Sequence, residues 1–320
     1  MDSFDAKIRD ITELILKDYD NGRYIDREID FSRLDKDAVI DILDKVQRLI
    51  YPGYFRAQGY KYYTLTNATS TLVEDLLYNL TKQITQSLHY DARYEDVPWD
   101  IMNEKAREMA MAFLERVPHI RALIDTDLQA EFDGDPAADN KDQIIFSYPG
   151  LYAIMVYRIA HELVLLKVPM IPRMMTEHAH SLTGIDINPG ARIGRYFFID
   201  HGTGIVIGET TEIGENVKIY QGVTLGALST RKGQMLHGVK RHPTIEDNVT
   251  IYSGASIIGG ETRIGKGAVI GANAFITTSI PAGAKVSIKN QEYRVQLDPD
   301  LPAEKGEVPE DTSWYDGAGI

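Results

Sequence analysis

IGETTEIGENVKIYQGVTL, residues 207–225, sets an aliphatic side chain at every sixth position: Ile207, Ile213, Ile219 and Leu225. A step of six fits neither the helical period of about 3.6 nor the two-residue alternation of a single strand. It fits a solenoid of short strands and tight turns, in which three hexads, about 18 residues, close one triangular coil. Each aliphatic side chain then points inward and stacks on its counterpart in the next coil. The series extends upstream through Ile187, Ile193 and Ile199, and downstream through Ile245, Ile251, Ile257, Ile264, Ile270 and Ile276. Gly190, Gly194, Gly208, Gly214, Gly226, Gly265 and Gly271 fall near the corners that such a coil must turn. Two large interruptions break the repeat. Two extra residues enter at Asp200-His201-Gly202-Thr203-Gly204, and a polar insertion runs over about residues 228–243, ending Lys240-Arg241-His242-Pro243.

Before residue 183 the apolar period is helical. Phe4, Ile8, Ile11 and Ile15 step by three and four, as do Val39, Ile42, Val46 and Leu49, then Leu72, Leu76, Leu80, Ile84 and Leu88. These read as amphipathic helices with buried stripes, roughly six to eight in number. They are punctuated by Pro52-Gly53, Pro98, Gly134-Asp135-Pro136 and Pro149-Gly150. The expected organisation is a helical domain over 1–182, a β-solenoid over 183–291, and an acidic C-terminal tail over 292–320.

Composition narrows the chemistry. Net charge is −13, from 34 basic and 47 acidic residues, which argues against broad nucleic-acid or anionic-membrane binding. There are no cysteines, so disulfides, thiolate metal sites and cysteine nucleophiles are excluded. The absence fits a reducing cytoplasm. The start, MDSFDAKIRD, is acidic where a signal peptide is basic. The most apolar stretch, Leu151 to Ile171, carries Arg158, His161, Glu162 and Lys167, so no membrane span is expected.

In a repetitive scaffold, departures from the repeat are where function concentrates. A lone surface histidine is usually just solvated. His201, however, sits between an aspartate and two glycines at the first interruption. Neutral imidazole accepts a proton near neutral pH and serves as a general base when a partner fixes its tautomer. Asp186, fifteen residues earlier and so close to one coil away, is the candidate partner. Arg241 beside His242 offers a guanidinium suited to a carboxylate, although a solvated basic loop reads the same way. Asp135 and Asp200 could hold an ammonium, although Asp135-Pro136 also reads as a turn. Together these groups outline a site for a zwitterion with a reacting hydroxyl.

Four segments give this outline a family. Gly134-Asp135-Pro136-Ala137 resembles an RDPA segment, and Tyr157-Arg158-Ile159-Ala160-His161 a YRIGH segment. The eleven residues from Asp200 to Thr210 resemble DHATGIVVGET, and Arg241-His242-Pro243 matches RHP. The chain resembles serine O-acetyltransferases of the hexapeptide-repeat acyltransferase family, over about residues 128–290. The resemblance implies a left-handed β-helix and transfer of acetyl from acetyl-CoA to L-serine, the first step of cysteine synthesis. It makes His201 the base, Asp186 its orienting partner, Asp135 and Asp200 contacts to serine, and Arg241 with His242 the carboxylate holder. Gly226, Ala227, Gly254 and Ala255 would line the acetyl-CoA channel, one of their amides stabilising the oxyanion. No metal is implied. A homotrimer or a dimer of trimers is implied, with sites between subunits and feedback by cysteine. The ending Gly319-Ile320 would dock into O-acetylserine sulfhydrylase.

The chain departs from the family at Asn188, which stands where DIHP has histidine. The longer loop adds Arg231, Lys232 and Lys240, which could meet CoA phosphates. Two other readings share the fold. One is acetyl transfer to a sugar or antibiotic. The other is a γ-class carbonic anhydrase-like zinc site on His201, His237 and His242.

Overall fold

The computed structural model describes residues 3–26, 33–55, 64–229, 231, 233–236 and 238–288. The chain divides into two compact units, Met1–Leu34 and Asp35–Ile320. The first holds helix α1 (Ser3–Tyr19) and a turn in which the Arg23 Nε donates to Asp26 at 2.7 Å. Its stripe was expected to be buried, yet Phe4, Ile8, Ile11 and Ile15 are 69, 48, 48 and 45% exposed. Among the described residues of this unit, one helix and a turn supply no second apolar layer.

The second unit opens with α2 (Lys36–Ile50), whose N-cap Asp35 accepts from the amides of Asp37 and Ala38. It continues through α3 (Leu65–Leu88), α4 (Trp99–Gly134), α5 (Lys141–Ser147), α6 (Pro149–Leu165) and α7 (Ile171–Thr183). Here the predicted stripes are core: Val39, Ile42, Val46, Leu76, Leu80, Ile84 and Leu88 are all fully buried. Pro149 sits in the first turn of α6, where its missing N–H costs nothing. Gly184 ends α7 in the left-handed region, φ +70°. Among the described residues no helix is long and apolar enough to cross a membrane.

A parallel β-solenoid of about five coils follows, starting at Asp186. Its first face stacks strands at 186–187, 206–207, 224–226, 256–258 and 275–276. The second stacks strands at 192–193, 212–213, 244–245 and 263–264, extended by a bridge from Ile264 to Ile280. The third stacks strands at 198–200, 218–220, 250–251, 269–270 and 285–286. The register sets hexad on hexad: Ile187 on Ile207 on Leu225 on Ile257 on Ile276, and likewise on the other faces. These side chains are 0–9% exposed. Each contributes about 1.5–3 kcal/mol on burial, which is what drives strands only two or three residues long to form.

The helical half caps the first coil, and the segment YRIAH is the joint. Ala153, Ile154 and Tyr157 of α6 join the solenoid's own core. The Tyr157 hydroxyl donates to the Ala191 carbonyl at 2.7 Å. Arg158, 4% exposed, donates at 2.6 Å each to the carbonyls of Ile193 and Gly194. It also grips Asp127 of α4 at 2.9 and 3.0 Å, and Asp127 in turn accepts from the Phe197 amide. His161 Nδ1 lies 2.8 Å from the Pro189 carbonyl.

Candidate active site

The two-residue insertion makes the corner between the third and first faces. His201 stands there with φ +57°, a left-handed conformation that is uncommon outside glycine and asparagine. Its side chain is 60% exposed, and Nδ1 lies 3.7 Å from Asp200 Oδ1, longer than a hydrogen bond. Asp135, the C-cap of α4, is held by the Ala137 amide at 2.8 Å and the Tyr148 hydroxyl at 2.5 Å. Burial raises the Asp200 carboxyl above its usual range and the Asp135 charge adds to this, while His201 and Lys218 pull it down. Two carboxylates thus share a half-buried corner poised to gain from a cation.

Behind them is an acid that no motif marked. Glu131 of α4 is fully buried, neither oxygen has a hydrogen-bond partner, and burial followed by Asp127, Asp200 and Asp135 holds its carboxyl well above the ordinary range. An unfolded glutamate loses its proton near pH 4.5. The folded chain keeps that proton to higher pH, so stability falls as pH rises between the two values. Glu131→Gln should therefore stabilise the chain at pH 8 by about 1–3 kcal/mol, with the gain shrinking toward pH 5. Urea midpoints at both pH values check this; a variant no more stable at pH 8 would refute it.

Asp186 is the expected orienting partner of His201. It stands outward on the first face, where Arg173 of α7 donates to it at 3.2 Å, and no hydrogen bond links it to His201 within the chain. Arg173 also pairs with Glu177. Glu177, His180 and Asp186 bring potential metal-ligating atoms within 4.8 Å of one another. The guanidinium already bridges the two carboxylates.

The second cluster forms at the corner between the first and second faces. There Gly208-Glu209-Thr210 holds Lys240-Arg241-His242, thirty-two residues on. Glu209 pairs with the Arg241 guanidinium, and Arg241 Nη1 donates to the Leu236 carbonyl at 3.2 Å. The Thr210 amide donates to His242 Nδ1 at 3.0 Å. That makes Nδ1 an acceptor and puts the proton on Nε2, where it can be donated to a ligand. Burial, then the Arg241 charge, lowers His242 to about 4, so the ring is neutral at physiological pH. A Cβ on Gly208 would lie 2.1 Å from this ring, which is why glycine stands there. Lys240 is committed to the Thr210 and Pro243 carbonyls at 2.7 and 3.3 Å, which leaves it poorly placed for CoA phosphates. On the far side of this corner a cavity of about 620 Å³ is lined by Arg192, Lys240 and Arg263, with Glu209, Glu212 and Glu261 among them. It holds neither His201 nor His242 and carries balanced charge.

A third feature joins the His201 corner to the upper coils. Gly204, Gly222 and Gly254 stack with φ +82°, +73° and +69°. The position a Cβ would take on each of the first two lies 3.4–3.6 Å from the next glycine's backbone. The column thus carries no side chain at these three positions, and the Asn273 amide lies against Gly254. Of the expected channel residues, Gly226 and Ala227 border the first face from the other edge. The Gly254 and Ala255 amides are engaged by the Gln221 and Tyr252 carbonyls at 2.9 and 3.4 Å.

No family model matches the chain. A serine acetyltransferase of Synechococcus elongatus is 41% identical over 252 residues, 77% of this chain and 79% of that protein. The chain belongs to the serine acetyltransferase family. The crystal structure of Entamoeba histolytica serine acetyltransferase isoform 3 in complex with cysteine matches with a TM-score of 0.67 at 36% identity, covering 80% of this chain and 84% of that one. That of the Neisseria gonorrhoeae serine acetyltransferase in complex with serine matches with a TM-score of 0.51 at 28% identity, covering 78% of this chain and 95% of that one.

In this chain most of the predicted site residues stand as two groups, at the two edges of one face, with Asp186 on the face between them. Asp135, Asp200 and His201 border the first face where the third meets it, and Arg241 and His242 where it turns into the second. Sequence reading missed Glu209, Thr210, Glu131 and the glycine column. The GET triplet was quoted for its resemblance, but its role as the bed of the RHP triplet is visible only in the fold. His237, Lys232 and the 292–320 tail lie outside the described residues.

Proposed function

We propose that this chain transfers the acetyl group of acetyl-CoA to the hydroxyl of L-serine, giving O-acetyl-L-serine and CoA. The observation that carries the site assignment is the pairing of a carboxylate corner with a guanidinium-imidazole corner across one face. Asp135 and Asp200 take the ammonium. Arg241, with the Nε2–H of His242, takes the carboxylate. His201 removes the hydroxyl proton as the oxygen attacks the thioester carbonyl, and the sulfur leaves with the electron pair of the broken bond. Asp186 stands on the same face as a carboxylate that can orient an imidazole. The glycine column along Gly204, Gly222 and Gly254 suits the close approach of the extended arm of acetyl-CoA. Gly254 and Ala255 would line the arm on this edge, and Gly226 and Ala227 of an adjoining subunit on the other, where one of their amides would face the charge that develops on the thioester oxygen.

The assembly we propose is a trimer built on the first face, or a pair of such trimers. Outward positions on that face are Asp186, Val206, Thr224, Ser256 and Phe275, the last 75% exposed. The second face presents Arg192, Glu212 and Arg263 at the equivalent positions. Three-fold packing on the first face, whose single outward charge is Asp186 at the first coil, would bring the His201 corner of one subunit to the Arg241 corner of the next. Light scattering should then give at least three times the 35.9 kDa chain mass, and a monomer would sink this arrangement. On the family resemblance alone, we extend the reading to docking of the 292–320 segment on O-acetylserine sulfhydrylase, to inhibition by cysteine and to the cytoplasm.

The deciding measurement is release of free CoA with L-serine, compared with homoserine, sugars and no acceptor. L-Serine should be preferred, and initial-rate lines should intersect when both substrates are varied. A sugar preference would move the chain to another acetyltransferase class, and parallel lines would rule out direct transfer.

A further inference from the structure

On the third face, Asp200 has Tyr220 as its register partner in the next coil, and Tyr252 follows one coil beyond. The Tyr220 and Tyr252 rings stack with centroids 5.1 Å apart and planes at 24°. That separation is close to the inter-strand spacing of about 4.8 Å, so the stack follows from placing like rings on neighbouring coils. Tyr252 covers one ring face of Tyr220. The opposite face looks toward the coil of Asp200, whose side chain is a short carboxylate and not a third ring. Both tyrosines are half-buried. Burial, and after it the charges of Asp200 and Asp135, push the Tyr220 phenol above its usual range, so both carboxylates lie within its electrostatic reach. The stack alone would hold on any part of the solenoid. Its place beside the two aspartates, one residue from the His201 corner, calls for a separate reason.

We infer that Tyr220 is the aromatic wall of the ammonium subsite, with Tyr252 a positioning residue that fixes its ring. A ring face beside two carboxylates attracts an alkylammonium by its quadrupole and keeps water from the Asp135–Asp200 pair. The ring thereby selects an amino alcohol over an alcohol that lacks the amino group. The inference rests on the reading of serine as acceptor and deepens it.

The test uses the full chain and two acceptors, L-serine and 3-hydroxypropionate, which keeps the hydroxyl and carboxylate but has no ammonium. Tyr220→Leu should raise KM for serine about fivefold and narrow the preference for serine by a similar factor, while kcat and KM for acetyl-CoA move less than twofold. Tyr220→Phe keeps the ring and should recover most of the loss. Tyr252→Leu, which removes only the support, should raise KM for serine about twofold. The inference is overturned if Tyr220→Leu leaves KM for serine unchanged, if Tyr220→Phe is as damaged as Tyr220→Leu, or if KM for acetyl-CoA shifts equally. Should Tyr220→Leu fail to fold, the Tyr220→Phe and Tyr252→Leu pair decides: loss in Tyr252→Leu without loss in Tyr220→Phe supports the wall, and any other pattern overturns it. A wild-type chain that acetylates no serine would instead sink the functional reading.

Discussion

Replacing His201 with alanine should lower kcat with serine by two to four orders of magnitude and leave the fold intact. The alcohol of serine is far too weak an acid to ionise unaided, so the base supplies roughly 3–5 kcal/mol of barrier lowering. The side chain is 60% exposed and makes no hydrogen bond among the described residues, so its loss should cost little stability. KM for serine should change little, because the groups assigned to the ammonium and the carboxylate, Asp135, Asp200 and Arg241, all remain. A fall confined to kcat is the signature of a group that acts in the transition state. A near-normal kcat would take His201 out of the role, and with it the assignment of this corner as the reacting centre.

The second large effect is structural. Arg158→Met should destabilise the chain by about 3–5 kcal/mol, read as a lower urea midpoint. The substitution leaves the buried Asp127 carboxylate without its cation and strips the Ile193 and Gly194 carbonyls of their donor. A carboxylate with no accessible surface cannot turn to water in compensation. Because the pair bolts α4 and α6 to the first coil, the loss should also reach the His201 corner, which lies on that coil's last turn. An unchanged midpoint would show that the apolar contacts of Ile154 and Tyr157 carry the joint alone.

The ladder was fully legible in the sequence, since a step of six admits one architecture and every hexad residue points inward. Positions of the site were legible too, because insertions in a regular coil must leave it at corners. Partnerships were not. Counting residues from Asp186 to His201 gives their separation along the spiral but not the contact that Asp186 makes with Arg173, which comes from a helix that hexad arithmetic does not include. The bond between Thr210 and His242 was hidden by the long insertion, which separates neighbouring coils by thirty-two residues. The apolar spacing of Phe4, Ile8, Ile11 and Ile15 gave a helix but not its burial, because periodicity names a stripe and not what covers it. Glu131 carried no signal at all, since a buried acid in a long helix looks like any surface glutamate until the fold closes over it.

The step from Leu225 to Ile245 is twenty positions where the repeat needs six, yet Ile245 resumes its place on Ile213 without a slip. Detours of this sort leave the stacked interior untouched, and doubling the length of one costs only about 0.6 kcal/mol of closure entropy. Selection can therefore reshape the grip around Arg241 by inserting or deleting residues, at almost no risk to the spine beneath.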